Sequence, residues 1–152
     1  MDMKVVGIGN RIMGDDAIGV MIAEDLKEEL EKLGVEVIIG ETDVDYCLSF
    51  IEEGDLLFIV DATLYGLEPG TLTIEEIDKD NVYTQEEYSQ HQISLVKLIG
   101  ICNIKNISGY ILGIEVVDVD FGIELSPLVK EKFNDIKTRI YNFIALRRVS
   151  NA

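Results

Sequence analysis

Apolar and polar positions along this chain switch repeatedly between a strand period and a helix period, and the switches mark out its elements. Residues 4–8 form a short apolar, β-branched run that stops at Gly9, as a buried strand would. From Asp15 or Asp16 a helix is predicted to about Lys32. Ile18, Ile22, Leu26 and Leu30 recur at every fourth position and Leu33 follows, while Glu24, Asp25, Lys27, Glu28 and Glu31 supply a wet face. Gly34 closes this helix as a C′ residue. Residues 35–39 read as a second strand ended by Gly40, residues 45–52 as a short helix, and residues 56–60 as a third strand stopping at Asp61. This β-α-β-α-β rhythm predicts parallel strands joined by right-handed crossovers.

Beyond the Pro69-Gly70 turn, residues 71–75 alternate, with Leu72 and Ile74 opposed to Thr71, Thr73 and Glu75, as in a half-exposed edge strand. The polar residues 78–89 read as a surface loop. Ser89 and Gln92 have capping-box spacing for a helix starting near Gln90 and running through Leu95, Val96 and Ile99. Residues 107–116 form the last strand. Ser126-Pro127 opens a final helix with apolar Val129, Phe133, Ile136, Ile140 and Phe143. The predicted fold class is α/β: one three-layer domain over residues 1–152, a mostly parallel, twisted five-stranded sheet with helices on both faces.

Composition then excludes several functions. The formal charge is −16, from 29 acidic against 13 basic residues. Nucleic acid and anionic membranes both demand Lys/Arg patches, so neither is an expected partner. The one basic cluster, Arg147-Arg148, is expected to complement the dipole of the last helix. No apolar run approaches the ~18–20 residues of a membrane span, and the start of the chain has no signal-peptide pattern. A soluble, cytoplasmic protein is expected. Cys47 and Cys102 lie far apart without C-x-x-C spacing, which predicts two buried free thiols.

The candidate chemistry starts at residues 5–19, where an apolar strand ends in a glycine-rich turn that delivers Asp15 and Asp16 to the start of a helix. Either acid suits an N-cap; packing and capping together leave the other available for chemistry. Asp61, at the end of the third strand, lies on the same crest if strands one and three are neighbours; it equally suits a turn bond to its own loop. His91 is the only histidine. At a helix start the field disfavours imidazolium, and a neutral imidazole can ligate a metal, although a solvated first-turn histidine fits the same position. Asp16, Asp61 and His91 together could hold a divalent metal with open positions. No H-E-x-x-H, G-x-S-x-G or P-loop pattern is present, and the glycines Gly7, Gly9 and Gly14 do not make a dinucleotide fingerprint.

Gly7-Ile8-Gly9-Asn10 followed by Gly14-Asp15-Asp16-x-x-Gly19 resembles the signature of the hydrogenase maturation proteases. Further matches follow in order: Val60-Asp61-Ala62, the turn Gly66-Leu67-Glu68-Pro69-Gly70, His91 with Leu95, Gly113-Ile114-Glu115, and Leu125-Ser126-Pro127. The likeness covers nearly the whole chain and looks most like the hydrogenase 3 type. It departs from the family at Val116, where Pro is common, and at Gly40-Glu41-Thr42, where a glycine-rich turn is common. The resemblance implies an endopeptidase that removes the C-terminal extension of a nickel-loaded [NiFe] hydrogenase large-subunit precursor. It implies Asp16, Asp61 and His91 as catalytic and metal-recognising residues. Nickel would arrive in the precursor, leaving the isolated protein metal-free or holding another divalent ion. The rival reading is a non-catalytic nickel-binding chaperone.

Overall fold

The computed structural model describes residues 2–77 and 90–150, with side chains in the second span described from Leu95 onward. The expected loop at residues 78–89, and with it the Ser89 cap, lies outside the described residues. In chain order the elements are β1 (Met3–Ile8), α1 (Ile18–Lys32), β2 (Glu36–Glu41), α2 (Val44–Leu48), β3 (Leu56–Thr63), β4 (Leu72–Glu76), α3 (Gln90–Ile101), β5 (Ser108–Glu115) and α4 (Pro127–Ser150). They build one five-stranded sheet in the order β2-β1-β3-β5-β4. All pairs are parallel except the edge strand β4, which runs antiparallel to β5. The predicted α/β class and the adjacency of strands one and three are both found.

Alternation along the strands separates two cores. Val5, Phe58, Val60, Leu112 and Ile114 point to the face covered by α1 and α4, whereas Val6, Ile8, Leu57 and Ile59 point to the face covered by α2 and α3. The acidic α1 would be marginal alone. Ile18, Ile22, Leu26 and Leu30 are buried against the sheet, each contributing about 1.5–3 kcal/mol, and that packing holds the helix. Its end is a Schellman turn: the Val35 amide donates to Leu30 O (3.0 Å) and the Gly34 amide to Glu31 O (3.0 Å), with Gly34 at φ 79. In α4, Val129, Ile136, Ile140 and Ile144 are buried, and Phe133 and Phe143 pack at the margin.

Two boundaries and one thiol differ from the sequence reading. β2 runs through Gly40 instead of ending there, because Glu41 still pairs with Ile8 of β1, and the Cys47 thiol packs where a Gly40 side chain would stand. Glu41 then takes φ 52, the left-handed conformation that a glycine would accept without strain, at the place where the family commonly has a glycine-rich turn. α2 is a single turn capped by Asp43, which accepts from the Tyr46 amide (2.9 Å). Of the two free thiols, Cys47 is buried as expected but Cys102 is exposed, since it follows the last turn of α3. Burial and the nearby charge of Asp43 push the Cys47 thiol up to about 11.

The base of the sheet, where the strands begin, carries a buried ion pair. Lys4 Nζ lies 2.8 Å from Asp55 Oδ2 and donates to Phe50 O. Burial opposes the ammonium charge, but the bond and charge of Asp55, with Glu36 and Glu52, outweigh it and raise the Lys4 pKa. Arg148 closes the same side by donating to Leu33 O (2.9 Å), at the C-terminal end of α1. Arg147 instead lies over the Phe143 and Tyr110 rings. No helix among the described residues is long and apolar enough to cross a membrane.

Candidate functional site

At the other end of the sheet, the crest, β1 and β3 last pair at Gly7 and Val60. Asp61 is the next residue of β3. It was expected just beyond the strand, but β3 continues to Thr63 because Asp61, Ala62 and Thr63 pair onward with Gly113, Ile114 and Glu115 of β5. Asp61 therefore stands on a held backbone at the point where β1 has fallen away. By alternation it shares the face of Leu57 and Ile59, the side of α3. Its Oδ1 accepts from the Ala62 amide (2.8 Å).

The glycine-rich loop folds back on this crest. Gly9 has φ 149, and a side chain there would collide with the carbonyl of Asp16. That close approach lets the Asn10 amide donate to Asp16 Oδ2 (2.8 Å), while Asn10 Oδ1 accepts from the Ile12 amide (3.1 Å). Gly19 serves packing: a side chain would strike the carbonyls of Val60 and Ile8, so α1 sits directly on the ends of β1 and β3. Gly14–Ala17 forms a 3-10 turn before α1, and it packs against β3.

Neither aspartate caps the helix. The N-cap of α1 is Ala17, without a side-chain bond, and Met13 precedes the 3-10 turn likewise. The reason is a partner distant in sequence. Asp15 turns toward residues 117–126 and accepts from the amides of Val117 (3.1 Å), Asp118 (3.0 Å) and Ser126 (2.6 Å) and from the Ser126 hydroxyl (2.8 Å). The backbone seals the same seam, with Asp15 N donating to Asp118 O and Gly14 N to Gly122 O.

A fourth acid belongs to the crest and was not singled out as a site residue from sequence. Glu115, at the end of β5, accepts from the Thr63 hydroxyl (3.0 Å), from the Tyr65 amide on both oxygens (3.0 and 3.1 Å) and from the Gly66 amide (3.1 Å). The signal was available: a carboxylate inside the apolar run from Ile111 to Val117 needs internal donors. Asp15, Asp16, Asp61 and Glu115 are only 0%, 7%, 1% and 2% exposed.

Of the three expected site residues, Asp16 comes to the crest on the 3-10 turn before α1 and Asp61 within β3. The side chain of His91 lies outside the described residues; its backbone belongs to the first turn of α3. Because α3 leads through residues 102–107 into the start of β5, its N-terminal end is directed toward the crest. Among the described residues no three His, Cys, Asp or Glu side chains form a metal-binding group.

The family model described as hydrogenase maturation protease (HycI) matches residues 20–142. The chain belongs to the hydrogenase maturation protease family. Among solved structures, the hydrogenase maturating endopeptidase HybD from Escherichia coli superposes with TM-score 0.77 at 25% identity, covering 98% of this chain and 94% of that one. A [NiFe] hydrogenase maturation protease HycI from Thermococcus kodakarensis gives TM-score 0.68 at 26% identity, covering 91% and 89%. A hydrogenase expression/formation protein, HupD, of Thiocapsa roseopersicina is 27% identical over 86% of this chain, which spans 62% of that relative's length. In this member of the maturation protease family, the glycine loop and the two crest aspartates are built as one packed unit.

Proposed function

We propose that this protein is an endopeptidase that removes the C-terminal extension of a nickel-loaded [NiFe] hydrogenase large-subunit precursor in the cytoplasm. The observation that carries the reading is the delivery of Asp16 and Asp61 to one crest by the two motifs that the family resemblance rests on. Two carboxylates and the imidazole of His91 are a donor set suited to a first-row divalent ion, and nickel enters as cargo of the substrate. Bound there, it supplies Lewis acidity at the scissile peptide. The chain's own part is to present Asp16 and Asp61 on fixed backbone, Asp16 through Asn10 and Asp61 through the β3–β5 ladder, so that the precursor is oriented without rearrangement.

Incubation with candidate precursors, with and without nickel, tests this by mass spectrometry. A shortened large subunit plus a released peptide, formed only from nickel-loaded precursor, is the expected result. Nickel-dependent binding without cleavage would support the chaperone reading in its place.

A further inference from the structure

We infer that Glu115 is a positioning residue that fixes residues 63–71 as a substrate-contacting wall beside Asp61, with Leu64 and Leu67 presented to apolar side chains of the bound polypeptide. The inference rests on the peptidase reading and adds a binding element to it. One residue holds this loop at three places. The Glu115 carboxylate takes the Thr63 hydroxyl and the Tyr65 and Gly66 amides. Its carbonyl accepts from the Gly70 amide (2.8 Å), and its own amide donates to Thr71 O (2.9 Å). Lys132 adds an outer tie to Pro69 O (2.8 Å).

A carboxylate is an acceptor-only group, so it is the natural centre for converging N–H and O–H donors, and its burial makes those bonds strong. The loop so held starts two residues beyond Asp61 and cannot move away from it without breaking them. It presents Leu64 and Leu67 to solvent, 39% and 42% exposed, on the segment that leaves the strand carrying Asp61. A polypeptide whose scissile bond reaches Asp61 must pass this wall. Apolar side chains next to the cleavage point would bury the two leucines.

Glu115→Leu removes every acceptor of its carboxylate and releases the half-buried Tyr65 and the exposed Gly66 from their anchor. Glu115→Gln keeps one oxygen for those amides and offers its NH₂ to the Thr63 hydroxyl, so it should rescue. Leu67→Ser changes the wall itself at an exposed position. Steady-state cleavage of nickel-loaded precursor, with thermal unfolding as the fold control, reads all three. Glu115→Leu and Leu67→Ser should raise KM about tenfold with kcat within about twofold of wild type, the pattern of lost binding. Glu115→Gln should keep a KM near wild type. A fall in kcat at unchanged KM for Glu115→Leu, or an unchanged KM for Leu67→Ser, overturns the inference. Should Glu115→Leu fail to fold, Leu67→Ser decides alone. Should wild type cleave nothing, the peptidase reading fails, and precursor binding by wild type and Leu67→Ser decides the wall: equal affinity overturns it.

Discussion

The two ends of the sheet treat buried charge in opposite ways. At the base, Lys4 meets Asp55 and the Phe50 carbonyl, and Asp55 also accepts from the Glu52 amide (2.7 Å), so charge is matched by charge in a closed local unit. At the crest four acids are buried together, and Asp15 and Glu115 among them are held by amides and hydroxyls. The base pair costs desolvation and returns register; replacing it by apolar residues would cost the fold little. Under the proposed function, the crest acids divide between holding the fold and serving the site. Two of them clasp loops, and the other two are carried by those clasped elements to one place. Negative potential concentrated in this way suits a divalent cation.

Substitutions at the two ends should separate sharply. Asp16→Asn is expected to remove processing altogether while the chain still folds, since an asparagine can still accept from Asn10; intact thermal unfolding with wild-type cleavage would break the contrast. At the base, Lys4→Met should cost about 3 kcal/mol by leaving Asp55 buried without its counter-charge, yet spare processing. Denaturant unfolding measures it, and the double change Lys4→Met with Asp55→Leu should recover most of the loss. Asp15→Asn sets an amide NH₂ against backbone donors and should cost about 2–3 kcal/mol. That is more than the ~1 kcal/mol of a lost cap, the role suggested by sequence position alone.

Alkaline stability tests both ends, through Cys47 packed against Gly40 at the carboxyl end of β2 and Lys4 at the base. Cys47 is held up to about 11 against an ordinary 9.0, and Lys4 is raised above its usual value, so the folded chain binds both protons more tightly than the unfolded one. Their contribution is complete below the unfolded values and is lost as pH rises through the folded ones. The unfolding midpoint should stay level to about pH 9 and fall toward pH 11, and Cys47→Ala should flatten that early part of the fall. The smallest effect belongs to the surface. Arg11, paired with Glu24 (2.7 Å) and Glu41, is exposed, and Arg11→Ala should change stability by under about 1 kcal/mol.

Local pattern carried the parts of this molecule that local physics decides. The apolar period of α1, the Gly34 stop and the run of β3 are all contained in short stretches, and the neighbouring of β1 and β3 follows from crossover geometry. What failed locally was decided by residues far along the chain. Asp15 looked like a cap because its donors, Val117, Asp118 and Ser126, are more than a hundred positions away. Asp61 looked like a strand end because β5, the strand that extends it, comes fifty residues later. Cys102 was read as buried from its residue type, but its place after the last turn of α3 leaves it in solvent. The local setting of Asp16 is decided within the glycine loop, by Gly9 and Asn10, seven and six positions before it.

The most direct measurement is side-by-side processing of one nickel-loaded large-subunit precursor by wild type, Asp16→Asn, Asp61→Asn and His91→Gln, read by intact mass after each protein is shown to be folded. The account predicts a shortened large subunit and a released C-terminal peptide with wild type alone. Cleavage at the wild-type rate by any of the three variants would contradict it.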